Sequence, residues 1–96
     1  MPTVKNVQRQ IQRCEGFAVR FLHEGPGPTT GRDVRDDRSG IPGYRYARRS
    51  PDCTVGVWID RRFKATFPGF DVQVLRADGR PADHRMLLSS VRATYD

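Results

Sequence analysis

Two cysteines, two histidines, two lysines and one tryptophan are all that the 96 residues carry of those types, and each scarcity removes a class of protein. Cys14 and Cys53 lie 39 positions apart (53 minus 14). That spacing matches no zinc or dithiol motif, and two cysteines are too few for a disulfide framework. Buried free thiols are the expectation, since an unpaired cysteine behaves as a small hydrophobe. No apolar run approaches the roughly 18 residues that span a bilayer, and no charge-flanked apolar stretch follows Met1. A cytoplasmic, extramembrane chain is expected.

The same scarcity argues against catalysis, which needs converging nucleophiles, acids and bases or a metal. His23 follows a predicted strand and His84 lies in the turn "GRPADHR"; both read as surface polar residues. Cys14, His23, Cys53 and His84 contain no close ligand pair of the kind zinc sites use. Asp36 and Asp37 are flanked by Arg32, Arg35 and Arg38. Neighbouring cations lower carboxylate pKa values, the wrong direction for a general acid at neutral pH. The glycines of "GPGPTTG" lack the Lys-Ser/Thr ending of a phosphate-binding loop, and its prolines remove N–H donors. The expectation is a non-enzyme with no cofactor and no metal.

Arginine is what the chain has in quantity. The formal net charge is +6, from 17 basic and 11 acidic residues, and all the basic residues except Lys5 and Lys64 are arginines. Such a balance favours acidic partners. The excess is spread along the chain rather than gathered in a tail, and arginine richness is equally expected of a GC-rich bacterial or phage genome.

Hydrophobic periodicity organises the sequence as a single α+β domain, 1–96. Thr3 can cap a helix over about 4–14, with Val4, Val7, Ile11 and Cys14 as its apolar stripe and Gly16 as its left-handed end. The period then changes to two, with Phe17, Val19 and Phe21 on one face of a strand. The octet "EGFAVRFL" (15–22) is echoed by "PGFDVQVL" (68–75), where Phe70, Val72 and Val74 alternate with Asp71, Gln73 and Leu75.

The element before the second octet is ambiguous. "TVGVWIDRRFKA" read as a helix takes Thr54 as cap and buries Val55, Trp58, Ile59 and Phe63; read as a strand it alternates Cys53, Val55, Val57 and Ile59. Its length favours the helix, and Pro68 would end it. A short final helix is expected with Leu87 or Leu88, Val91 and Tyr95 on one side. The predicted architecture is two helix–strand units, α-β-loop-α-β-α, with helices packed on one face of a small sheet. A shared origin of the two units and shared local physics both account for the echo.

Between the units runs an irregular Gly/Pro/Arg-rich segment at about 24–53. "GPGPTTG" reads as a mobile excursion and "YRYARR" as a short edge strand. Tyr44, Arg45, Tyr46, Arg48 and Arg49 combine planar rings with bidentate donors suited to phosphates, bases or carboxylates. Arg61, Arg62 and Lys64 form a second basic cluster on the expected outer side of the second helix. Inward tyrosines with solvated arginines are the simpler account of the first cluster, and solvated helix charge that of the second.

Two functions compete. One is a small interaction protein docking on an acidic protein surface or nucleoprotein complex through an Arg/Tyr-rich face, as an inhibitor or accessory factor of a phage or mobile element would. The other is a nucleic-acid-binding domain using the same face, although no helix-turn-helix, RRM, KH or zinc-finger pattern is present. The oligomeric state is open, and exposed edge strands would permit a dimer.

Overall fold

The computed structural model describes residues 2–49 and 52–96. Met1, Ser50 and Pro51, the latter two within the predicted irregular segment, lie outside the described residues. The fold is α+β: α1 (Val4–Glu15), β1 (Ala18–His23), a helical stretch made of α2 (Val55–Trp58), a π-helical turn (Ile59–Phe63) and α3 (Lys64–Thr66), then β2 (Phe70–Leu75) and α4 (Leu88–Ala93).

Local chemistry explains the ends of α1. The Thr3 hydroxyl accepts from the Asn6 N–H, and Gly16 closes the helix at φ 85°, a conformation that L side chains rarely adopt. Two further N–H groups of the first turn, on Val4 and Lys5, donate to the carbonyls of Arg38 and Asp36. The irregular segment therefore caps the helix from outside. The second helical stretch is capped in the same manner: the Thr54 hydroxyl accepts from the Val57 N–H, and Val55 and Gly56 donate to the carbonyls of Met86 and His84. A Cβ at Gly56 would sit 3.3 Å from the His84 oxygen, which gives a packing reason for a glycine inside a helix.

The two echoing octets pair with each other. β1 and β2 form an antiparallel ladder in which Val19 faces Val74 and Phe21 faces Val72. These four side chains are buried. Phe21 meets Phe63 and Phe67 edge-on at centroid distances of 4.9 and 5.2 Å, and Phe17 meets Trp58 in the same way at 5.1 Å. Such pairs contribute about 0.5–1.5 kcal/mol each beyond their buried area. Trp58 is fully buried, as its place on the apolar stripe predicted.

Several expectations need correction. The second helix is not a uniform α-helix: the Lys64 N–H reaches back five residues to the Ile59 carbonyl, and this wide turn keeps Trp58 and Phe63, five apart, on one buried face. "YRYARR" forms no strand. The two strand edges are partly covered, β1 by residues 31–34, where His23 donates to Arg32 and Val34 to Phe21, and β2 by Ala82 donating to Val74. The exposed edges that would favour a dimer are reduced accordingly. Leu88, not Leu87, supplies the core side of the last helix; Leu87 is 41% exposed. Both thiols are free but only half-buried.

Candidate functional site: an arginine face around a buried glutamate

The residue that organises the candidate site is one the periodic reading passed over. Glu15 ends α1 four positions after Ile11, on the helix's apolar stripe, and its side chain is fully buried. A buried carboxylate is tolerated only when it is paired and hydrogen-bonded, and Glu15 has a full set of partners. Its Oε2 accepts from the Tyr44 hydroxyl at 2.5 Å, from Trp58 Nε1 at 3.3 Å and from Arg62 Nη1 at 3.0 Å. Its Oε1 accepts from the Arg49 backbone N–H at 2.9 Å and from Arg92 Nη2 at 3.0 Å. The Trp58 indole also donates to the Tyr44 hydroxyl at 3.0 Å.

These contacts fix residues 44–49 as a strap across the end of α1. The Tyr44 N–H donates to Gln10 Oε1 at 2.9 Å, the Cys14 thiol to the Tyr46 carbonyl at 2.9 Å, and Arg48 Nε to the Cys14 carbonyl at 3.0 Å. Arg62 Nη1 also donates to the Ala47 carbonyl, and Arg92 joins the Glu15 and Arg49 carbonyls. Carbonyls left over at a helix C-terminus are thus met by guanidinium groups, the charge sign that the helix dipole favours there.

The strap and the second helix meet in space. The Arg62 guanidinium lies 4.8 Å from the Tyr46 ring centroid, and Thr66 donates to the Tyr46 hydroxyl at 3.0 Å. Of the residues singled out in the sequence, Tyr44 is buried and Arg62 is turned inward rather than outward, its side chain 14% exposed. Tyr46 is exposed, but Tyr44 packs against it at 5.1 Å and Arg62 lies over its ring. Arg45, Arg48, Arg61 and Lys64 are exposed, and Arg49 is half-buried. Lys64 faces Glu24 at 4.0 Å. Arg45, Arg48 and Arg61 enter no ion pair among the described residues.

The electrostatics follow from burial and pairing. Tyr44 is held above the ordinary tyrosine range by burial, with its hydrogen bond to Glu15 acting in the same direction, so it remains a protonated donor. Burial acts to lower the Arg62 pKa, but its contacts with Tyr44 and Glu15 outweigh that and leave it raised. Arg92 is lowered by burial and, in part, by the positive charge of Arg48. Burial, helped by the Glu15 charge, raises the Cys14 thiol.

A separate open cleft of about 430 Å³ is lined by His23, Val34, Arg35, Asp37, Arg38 and Ser39. Its cations already have partners: Arg35 makes two hydrogen bonds to Asp37 at 3.2 and 3.0 Å, and Arg38 lies 5.0 Å from the Phe70 ring centroid. Among the described residues no group of three or more His, Cys, Asp or Glu is placed to hold a metal, and no helix is long and apolar enough to cross a membrane. Comparison of the chain with family models, with curated proteins and with solved structures finds no match.

Proposed function

We propose that this chain is a small non-enzymatic interaction protein that docks on an acidic protein surface, alone or within a nucleoprotein complex. The observation that carries this reading is the contrast between a strap held by buried Glu15 and three exposed arginines that enter no ion pair among the described residues, Arg45 and Arg48 on the strap and Arg61 on the second helical stretch. Arginine is favoured at binding hot spots, and a strap ordered before association loses less conformational entropy when a partner arrives.

The alternative, stacking of nucleobases on Tyr44 and Tyr46, has less support. Tyr44 is enclosed, and the Tyr46 ring already contacts Arg62 and Tyr44. An inhibitor or accessory factor of a phage or mobile element, working in the reducing cytoplasm that keeps two free thiols unpaired, is the setting we propose for this activity.

The test is fluorescence anisotropy with labelled polyglutamate and with labelled single-stranded and duplex DNA and RNA, across about 50–200 mM salt, where phosphate contacts lose affinity steeply. The reading expects saturable polyglutamate binding that Arg45→Ala with Arg61→Ala weakens. Tighter binding to nucleic acid, with a steep salt slope, would replace it with the nucleic-acid reading.

A further inference from the structure

The Glu15 cluster carries more positive charge than its one carboxylate balances. Arg62 and Arg92 form ion pairs with Glu15, both at 3.0 Å. Arg48 is bound to the same helix end through the Cys14 carbonyl and forms no ion pair among the described residues. Three guanidiniums to one carboxylate leave an excess of two positive charges.

The Arg48 guanidinium and the Arg92 side chain lie beside Gly16. A Cβ built on Gly16 would lie 2.9 Å from Arg48 Nη2 and 3.5 Å from Arg92 Cγ, so these two side chains flank the glycine. Burial lowers the Arg92 pKa, the Glu15 charge acts to raise it, and the Arg48 charge lowers it further. Arg48 uses Nε on the Cys14 carbonyl, and its Nη groups meet no acceptor among the described residues. Next to it in the chain, Arg49 is tied to the cluster by its backbone, yet its Nε is withdrawn from solvent and has no acceptor among the described residues. A buried guanidinium N–H without an acceptor is a costly arrangement that an oxyanion would relieve.

We propose that the Arg48–Gly16–Arg92 corner, with Arg49, is a binding site for a dianionic phosphate group. With Arg49 included, four guanidiniums stand against one carboxylate, an excess of three, of which a dianion neutralises two and a carboxylate one. Planar guanidiniums bind the oxygens of phosphate through paired N–H donors, and the missing Cβ at Gly16 lets the Arg48 guanidinium lie directly against the helix end. The proposal rests on the docking reading in that Arg48 and Arg49 belong to the same face, and it names the charged group that face takes.

The experiment is a backbone-amide NMR titration of the whole chain with inorganic phosphate, and separately with acetate, at constant ionic strength in chloride. Saturable shifts centred on Gly16, Arg48, Arg49 and Arg92 are expected. Arg48→Ala and Arg49→Ala should each weaken phosphate about tenfold, the loss of one charge-assisted hydrogen bond, while spectra remote from the site stay unchanged. Acetate should bind at least about tenfold more weakly, since it supplies half the charge.

Shifts that never saturate and spread equally over exposed arginines such as Arg9 and Arg61, or acetate binding as tight as phosphate, would overturn the proposal. The double variant Arg45→Ala/Arg61→Ala should keep phosphate binding. If phosphate fails while polyglutamate binding still depends on Arg45 and Arg61, this inference alone falls; if phosphate binds and polyglutamate does not, the docking reading falls.

Discussion

The irregular segment between β1 and the second helix contains two stretches that behave differently. Residues 25–31 are exposed along their whole length, turn through Gly25, Gly27 and Gly31 at positive φ, and have open space around each of those glycines. Residues 44–49 are equally without regular secondary structure, yet their backbone is bonded to α1 and to the side chains of Glu15, Arg62 and Arg92. Lack of a repeating backbone pattern is therefore not lack of order. What separates the two is a buried charge: Glu15 needs partners, and only the second stretch supplies them.

Breaking the charge should have the largest effect. Glu15→Ala leaves Arg62 and Arg92 uncompensated and removes the acceptor for Tyr44, Trp58 and Arg49. A loss of about 3–5 kcal/mol is expected from breaking one side of a buried ion pair, a large part of the roughly 5–14 kcal/mol available to a domain of this size. Denaturant unfolding measures it. Thr29→Ala, in the exposed stretch, should stay within about 0.5 kcal/mol of the native chain.

Tyr44→Phe sharpens the comparison. It removes one hydrogen bond to Glu15 and one acceptor for Trp58, for an expected loss of about 1–3 kcal/mol. It also predicts a pH effect. Because Tyr44 is raised in the folded state, its contribution is fully present below the unfolded tyrosine pKa of about 10 and is lost as pH rises above it. Unfolding curves on either side of that pH should show a smaller alkaline loss in the phenylalanine variant than in the native chain. The smallest effect concerns Cys14, whose raised thiol pKa predicts slower alkylation at neutral pH than free cysteine, measurable by mass spectrometry.

Much of the fold was legible because local chemistry dictates it. Thr3 and Gly16 bracket α1, Thr54 caps the second helical stretch, and the alternation from Phe70 to Leu75 marks β2. The π-helical turn was not legible, because spacings of three and four are consistent with an unbroken α-helix and the five-residue step from Trp58 to Phe63 becomes meaningful only once both are known to be buried. The strap was misread as a strand because "YRYARR" alternates, while its order comes from a residue 29 positions away, through the Tyr44–Glu15 hydrogen bond. Position 15 did carry a signal: it completes the series 7, 11, 15, and a carboxylate there demands cations. Nothing local identifies Arg62 and Arg92 among fifteen arginines as the ones that answer it.

The most direct test of Glu15 as the anchor of the arginine strap is amide hydrogen exchange in Glu15→Gln, which keeps the shape of the side chain and removes its charge. The account predicts that protection of the Arg49 amide falls at least about tenfold more than that of Arg20 and Leu22 in β1, whose amides face β2, a local opening distinct from global unfolding. Protection at Arg49 that is unchanged, or that falls in step with β1, would contradict it.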